Sequence, residues 1–302
     1  MLINGSGIVK GIDSIPAPGT IIGLLDSVNV NSVSNKSGFI DDGRVRAIRG
    51  LLQASSYRLL KAGKLAIVYV HGEATLDAAG NTRYVLLSCH VDSVYPSHFH
   101  KHVENEELVG TFDNSICNAI LVGLMLDDVL PPNVIVAFTG DEEHSLKGAV
   151  ETVKILEKMS HAWRRVEIAI VLDVTAVGYP DHACTVENHV PVYKVKPGNK
   201  LGFPAPEAFA SYLLANLPGG GRDVPVVPYG EASQDETEIF IDRGVNTLCF
   251  CIPIAPVPEN RSMEEHEWMH HPSGVLLREI SIGGYARALR DLCAGIAGDI
   301  VP

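Results

Sequence analysis

Residues 84–92 read Tyr-Val-Leu-Leu-Ser-Cys-His-Val-Asp, an apolar run that ends in a histidine and an aspartate. The run predicts a strand that is buried on both faces, as strands of a parallel sheet are. Alternation along an extended strand places the side chains of His90 and Asp92 on one face. His90 can then bind a metal ion while Asp92 holds its other ring nitrogen. The alternative is a surface His-x-Asp pair at a strand end.

Predicted strands and helices alternate on both sides of this run, and their order predicts the fold. The predicted strands are Lys64–His71, Tyr84–Cys89, Val134–Phe138, Glu167–Leu172, Val224–Val227 and Asn246–Ile252. The predicted helices are Gly43–Leu60, Ser115–Val129, Ser145–Met159, Pro204–Leu217, Asp235–Asp242 and Ser273–Gly295. This alternation predicts an α/β fold of three αβα layers with a mixed, mostly parallel central sheet. We expect residues 1–302 to form a single catalytic domain.

Further acidic residues stand at the ends of other predicted elements, where ligands of such sheets bind. Asp113 lies where a loop enters an apolar helix, so it can bridge two metal ions or simply cap that helix, as Asn114 and Ser115 also can. Glu142 and Glu143 follow a buried strand, where one can bind an ion and the other can take a proton from water. The alternative is a solvated turn before a helix. Asp173 ends a buried strand, a position suited to a ligand or to a turn.

Histidines near the end of the chain offer a further ligand. His270 precedes Pro272, at which a helix can begin. His271 and His266 are competitors that spacing alone does not exclude. His98, His100 and His102 alternate in a segment of mixed polarity, and we expect them to be exposed loop residues. Imidazole and carboxylate groups together suit zinc, with cobalt and manganese as alternatives.

Composition narrows the functional classes. Acidic residues outnumber Lys and Arg by 36 to 24, which gives a net charge of −12. This balance disfavours nucleic-acid and anionic-membrane partners, because both require clustered basic residues. Met1–Thr20 shows no targeting pattern and no stretch is apolar over a bilayer-spanning length, so we expect a cytoplasmic protein. The six cysteines form no Cys-x-x-Cys pair, and we expect buried free thiols.

The ordered motifs resemble those of the co-catalytic di-zinc exopeptidases, of the bacterial leucyl aminopeptidase type and the glutamyl (deblocking) aminopeptidase type. The matching motifs are Cys-His90-Val-Asp92, Phe-Asp113-Asn, Asp-Glu142-Glu143, Leu-Asp173-Val-Thr and Met-His270-His-Pro. Each motif alone is common, whereas five in this order are specific.

The resemblance implies a role for each residue. Asp113 bridges two divalent ions, most plausibly zinc; His90 and Asp173 complete one site, and Glu143 and His270 complete the other. Glu142 is implied as the general base and Asp92 as the residue behind His90. The His-x-Pro pattern favours His270 over His271. The implied activity is a metal-dependent aminopeptidase that removes N-terminal residues from peptides with a metal-bridged water molecule.

Two other reactions on the same scaffold remain open. One is acyl transfer by a glutaminyl cyclase-like enzyme with one zinc ion, and the other is deacylation of N-acyl amino acids. A non-enzymatic protein that kept the fold is a third alternative. The 20 residues Ser93–Phe112 are too few for the domain that deblocking enzymes insert there, so we expect a bare catalytic domain. Asp235 is either a substrate contact or a helix cap. The oligomeric state is not predicted.

Overall fold

The computed structural model describes residues 16–30, 32, 38–74, 82–104, 106–159, 162–176, 192–195, 226–228 and 235–300. The strands, in chain order, are β1 (Tyr57–Ala62), β2 (Ala66–His71), β3 (Tyr84–His90), β4 (His100–Val103), β5 (Glu107–Gly110), β6 (Val134–Thr139), β7 (Val166–Thr175), β8 (Val192–Val195), β9 (Val226–Pro228), β10 (Asn246–Pro253), β11 (Ala255–Pro256) and β12 (Val275–Arg278). The α-helices described are α1 (Pro18–Val28), α2 (Gly43–Leu51), α3 (Ser115–Leu126), α4 (Glu142–Ser145), α5 (Lys147–Lys158), α6 (Thr237–Asp242), α7 (Glu265–Met269) and α8 (Glu279–Ile300).

Eight strands form the central sheet in the order β1-β2-β6-β3-β7-β10-β8-β9. The neighbours β6-β3-β7-β10 run parallel, whereas β1 and β2 at one side and β8 against β10 are antiparallel. The predicted mixed, mostly parallel sheet is therefore confirmed. The carboxyl ends of β3, β6 and β7 meet at one edge, which brings His90, the Glu142–Glu143 loop and Asp173 together.

Helices cover both faces of this sheet, as the predicted three-layer α/β fold requires. One face packs α1, α2, α3 and α8 against odd-numbered residues of β3 such as Val85 and Leu87. The opposite face packs α5 and α6 against Leu86 and its neighbours. Every residue of β3 is buried, because both of its faces lie under helices. The predicted extent of the domain, residues 1–302, stays a prediction.

A second, antiparallel sheet has the strand order β11-β12-β5-β4. Its strands β4 and β5 come from the segment Ser93–Phe112, which thus contributes a hairpin. The histidines predicted to lie in an exposed loop are partly in strand β4: His100 and His102 belong to it. His100 is half-buried, with Nε2 3.0 Å from Asp26 Oδ1, while His102 is exposed. That part of the loop prediction is wrong because Glu107–Gly110 pairs with this segment.

Two predicted helices are wrong over part of their length. The helix predicted over Gly43–Leu60 ends at Leu51 and is followed by strand β1. The hydroxyl of Ser55 donates to the Leu52 carbonyl and accepts from the Tyr57 amide, so it closes the helical segment. The helix predicted over Ser273–Gly295 begins only at Glu279.

Val275–Arg278 pairs with β5 as strand β12, because its apolar side chains fill the small sheet instead of a helix face. The other predicted elements are observed with ends displaced by a few residues. The helix predicted over Pro204–Leu217 and Cys184 lie outside the described residues. The remaining cysteines are buried and free, as predicted: Cys89, Cys117, Cys249, Cys251 and Cys293.

Candidate metal centre

The first pair of predicted ligands meets at the carboxyl end of β3. His90 is 2% exposed, and its Nε2 atom lies 3.1 Å from Asp113 Oδ1 and 3.5 Å from Asp173 Oδ1. Asp173 arrives beside His90 because β7 is the parallel neighbour of β3. The His90 Nε2 atom therefore lies close to one carboxylate oxygen of Asp113 and one of Asp173.

The second pair of predicted ligands is His270, which faces the other oxygen of Asp113, and Glu143 beside it. His270 Nε2 lies 3.3 Å from Asp113 Oδ2 and 3.8 Å from Glu143 Oε2. His270 is brought there by the turn after α7, and Glu143 by the one-turn helix α4 after β6. The Asp113 carboxylate thus stands between two separate pairs of side chains.

Neighbouring groups set the orientation of His270. Its Nδ1 atom lies 3.2 Å from the His266 carbonyl, so the proton of this ring nitrogen can be donated there while Nε2 faces the cluster. The Tyr95 ring packs edge-on at 6.2 Å, and its hydroxyl donates to the Met269 carbonyl. The competitor His271 instead has Nδ1 2.7 Å from Ser273 Oγ. His266 contributes its backbone, and its side chain is exposed.

Asp92 lies behind the cluster. Its Oδ1 is 3.6 Å from His90 Nδ1, while its Oδ2 accepts a hydrogen bond of 3.2 Å from the Glu143 amide. The backbone carbonyl of Asp92 is closer to His90 Nδ1, at 3.3 Å. Asp92 therefore contacts residues of both ligand pairs through β3 and α4.

The capping alternatives for Asp113 and its neighbours are not what these side chains do. Helix α3 has no side-chain cap, and the Asp113 carboxylate faces His90 and His270. The side-chain amide of Asn114 donates to the Leu172 carbonyl at 2.6 Å, which connects the start of α3 to β7. The peptide bond between Asp113 and Asn114 is cis. Asp235, by contrast, accepts from the Thr237 backbone amide at 2.8 Å at the start of α6, whose N-cap residue is Glu236.

The electrostatics of the cluster are those of several acids in a small buried volume. Burial and the nearby Asp113 charge raise the pKa of Glu143 to about 8. Burial also raises the pKa of Glu142 well above its ordinary value, against the opposing effect of His90. Burial disfavours the charged form of Asp113, yet hydrogen bonds to His270 and His90 hold its pKa below the ordinary range. The hydrogen bond to Asp113 raises the pKa of His270 to about 9.

The donor set fits a pair of divalent ions. Two ligand atoms each about 2.1 Å from a tetrahedral ion lie roughly 3.4 Å apart, close to the separations around Asp113. Buried oxygens Asp92 Oδ1, Asp113 Oδ1 and Glu143 Oε1 accept no well-aligned hydrogen bond from the described residues. Candidate ligand atoms of His90, Asp113 and Glu143 all lie within 4.8 Å of one another. A cation would satisfy these acceptors and offset the repulsion among the acids.

Comparison with known proteins identifies the family. The model of peptidase family M28 matches residues 70–285, more than half of the chain and all of the predicted cluster. The chain belongs to peptidase family M28. The predicted metallo-exopeptidase resemblance and the predicted hydrolase class are therefore confirmed. A search of curated protein sequences finds no significant match.

Solved structures share the fold of this M28 chain. The TET1 peptidase of Pyrococcus horikoshii, described as assembling into a tetrahedron or a large octahedral shell, has a TM-score of 0.62 and 14% identity, over 90% of this chain and 99% of its own. A TET aminopeptidase from a thaumarchaeote of marine sediment has a TM-score of 0.62 and 13% identity, over 91% and 96%. A tripeptidase of Staphylococcus aureus has a TM-score of 0.60 and 10% identity, over 94% and 100%.

Three residues near the centre were not predicted as functional. Arg44 and Tyr95 carry no sequence signal of a site, because each acts through a backbone carbonyl of a distant segment. Glu236 is 1% exposed and accepts a hydrogen bond of 2.6 Å from the hydroxyl of Ser88, which lies two residues before His90 in β3. A signal for Glu236 existed, since it forms an acidic pair with Asp235. Among the described residues, no helix is both long and apolar enough to cross a bilayer.

Proposed function

We propose that the protein is a metal-dependent aminopeptidase with two divalent ions, which we assign as zinc. The observation that carries this proposal is the position of Asp113, whose Oδ1 faces His90 and whose Oδ2 faces His270, each histidine lying beside a second carboxylate. We assign His90 and Asp173 to one ion and Glu143 and His270 to the other, with Asp113 shared. Membership of peptidase family M28 supports a peptide substrate.

The residues then divide the chemistry among them. Bound divalent ions would polarise the scissile carbonyl and acidify a water molecule. Glu142, which belongs to the same buried acid cluster and is no part of either ligand pair, would take the proton of that water and pass it to the leaving amine. Asp92 would hold His90 and the Glu143 backbone in place. The negative charge of the cluster also suits the ammonium group of a free peptide N-terminus.

The replacement Glu142→Gln tests the assigned base. It removes the proton acceptor but keeps the size of the side chain, so we expect turnover to fall by about 10²–10⁴-fold while zinc binding is retained. The measurement is hydrolysis of amino-acid anilides by the zinc-, cobalt- and manganese-loaded protein. Glu157→Gln, an exposed change on α5, is the matched control and should leave turnover unchanged. Unchanged turnover in Glu142→Gln would remove the assignment.

A substrate pair separates the aminopeptidase from the other reactions of the scaffold. We expect hydrolysis of a peptide with a free N-terminus and no hydrolysis of its N-acetylated form. Preference for the acetylated compound would identify a deacylase. Ring closure of N-terminal glutamine with one ion per chain would identify a cyclase. The cytoplasmic location stays a prediction.

A further inference from the structure

Helix α2 buries a cation beneath the candidate metal centre. Arg44, in the first turn of α2, is 0% exposed. Its Nε donates to the Val28 carbonyl at the end of α1 (2.9 Å), and its Nη1 donates to the Val91 carbonyl (3.0 Å). No described carboxylate lies within ion-pair distance of the guanidinium, whose Nη2 has no hydrogen-bond partner among the described residues. A charge buried in this way is costly to the stability of the fold, so its presence calls for an explanation.

One of the two carbonyls that accept from Arg44 belongs to Val91, which lies between two residues of the candidate site. Val91 joins His90 to Asp92, and its carbonyl also accepts from Ser32 Oγ at 2.5 Å. The amide on the other side of Val91 donates to the Thr139 carbonyl at 2.7 Å. The peptide groups of Val91 are therefore fixed on both sides, and the Arg44 and Ser32 donors fix the side away from β6.

This anchoring determines where two side chains point. Val91 stands between His90, whose Nε2 lies near Asp113 and Asp173, and Asp92, which accepts from the Glu143 amide. Rotation of the Val91 carbonyl would change the backbone direction on both sides and move these two side chains out of place. Burial lowers the pKa of Arg44, and the nearby charges of Asp42, then Asp113 and Asp92, favour its charged form. An arginine keeps its proton under such conditions. Arg44 is thus a fixed cation that faces the backbone of the site.

We propose that Arg44 is a positioning residue that holds the Val91 carbonyl, and through it the His90–Asp92 pair, in the conformation that binds the metal ion. The effect on zinc binding rests on the metal site of the proposed function, and the effect on kcat rests in addition on the proposed peptidase activity. A long, forked side chain suits this place because one guanidinium joins the carbonyl of Val28 in α1 to that of Val91, directly after β3.

Four variants test the proposal. Arg44→Met removes both hydrogen-bond donors and the charge while keeping a side chain of similar length. Arg44→Lys keeps the charge and can donate to only one of the two carbonyls. Ser32→Ala removes only the second donor to Val91. Arg46→Met, on the exposed side of α2, is the control for the same change of net charge. Zinc affinity is measured by competition with a chromophoric chelator, together with the Tm of the metal-free protein and the kcat and KM for an amino-acid anilide.

We expect Arg44→Met to weaken zinc binding by about 10- to 100-fold, as loss of a group behind a ligand does. Its kcat should fall in parallel, with little change in KM. Arg44→Lys should recover part of both losses, and Ser32→Ala should weaken zinc binding by a few-fold. Arg46→Met should match the wild type in zinc affinity and kcat.

Wild-type zinc affinity and kcat in Arg44→Met, with only a lower Tm, would overturn the proposal and leave Arg44 an ordinary core residue. If Arg44→Met does not fold, unchanged zinc affinity in both Arg44→Lys and Ser32→Ala would overturn it. If the wild type binds zinc but hydrolyses no peptide, the proposed function fails while the zinc measurements still decide the role of Arg44.

Discussion

At the scale of single residues, His270 and His271 show how one position along the chain separates two roles. His270 Nε2 faces Asp113, with its other ring nitrogen at the His266 carbonyl. His271 turns toward Ser273 instead. Adjacent residues after a short helix point in different directions, and spacing along the sequence does not distinguish them.

We expect His270→Ala to lose one of two bound ions and at least about 100-fold in turnover, because the ion then lacks an imidazole ligand. His271→Ala is the matched control and should keep both ions and most of the activity. Ions per chain are counted by mass spectrometry of the dialysed protein. Two ions in His270→Ala and one in His271→Ala would reverse the assignment.

Glu236 makes stability depend on pH. Burial raises its pKa from 4.5 to about 7, with Ser88 acting in the opposite direction. The folded protein therefore binds this proton more tightly than the unfolded chain, and the stabilisation present below pH 4.5 is lost as the pH rises toward 7. At about 1.4 kcal/mol for each pKa unit, the shift from 4.5 to about 7 corresponds to roughly 3 kcal/mol.

We therefore expect Glu236→Gln to raise the free energy of unfolding by about 2–3 kcal/mol at pH 8 and to leave it nearly unchanged at pH 4.5. Urea denaturation at several pH values measures the difference between the two proteins. A difference that is constant with pH would show that Glu236 is not held protonated in the fold.

At the scale of elements, α5 approaches the sheet through a glycine. A Cβ atom at Gly148 would lie 2.7 Å from the Gly140 nitrogen and 2.8 Å from the Leu65 carbonyl oxygen. The Gly148 amide also donates to the Gly140 carbonyl at 3.1 Å. Because Gly140 lies two residues before Glu142, this contact fixes the distance between α5 and the start of α4, which carries the proposed base.

We expect Gly148→Ala to destabilise the protein by about 1–3 kcal/mol and to lower turnover, because backbone atoms must move apart. Gly50→Ala on α2 is the matched control: nothing lies within 4 Å of its added Cβ, and alanine should stabilise that helix by a few tenths to 1 kcal/mol. Thermal unfolding and anilide hydrolysis measure both effects. A stable, fully active Gly148→Ala protein would contradict this account.

The segments that the sequence wrongly predicted as helix are those that pair with another strand of the fold. Leu59 and Leu60 fit helical spacing as an extension of α2, but Tyr57–Ala62 pairs with β2. Val275–Arg278 likewise pairs with β5, from which it is separated by more than 160 residues. Short apolar segments satisfy both helix and strand patterns, so the available hydrogen-bond partner decides between them.

At the scale of the whole molecule, repulsion among the acids of the candidate centre opposes folding in the absence of metal ions. Asp113, Glu142 and Glu143 share a small buried volume, and burial raises the pKa values of both glutamates. Ions that bind only the folded state stabilise it by mass action, about 2.7 kcal/mol at 100 times the Kd. Metal removal should therefore weaken the fold as well as stop the reaction.

We expect zinc to raise the Tm of the chelator-treated protein by several degrees, because about 1 kcal/mol corresponds to a few degrees in a protein of this size. Calcium, which prefers six to eight oxygen ligands, is the control ion and should have little effect. Asp113→Asn should abolish most of the zinc response. Equal shifts with zinc in the wild type and in Asp113→Asn would place the ions elsewhere.

The sequence by itself determined the α/β alternation and the residues of the cluster. Buried strands have local apolar runs of sequence, and the carboxyl ends of parallel strands lie at one edge of the sheet. Long-range packing alone places Asp113 between His90 and His270 and brings Arg44 to the Val91 carbonyl. Those contacts join residues tens to hundreds of positions apart, whose approach depends on packing between layers rather than on any local pattern.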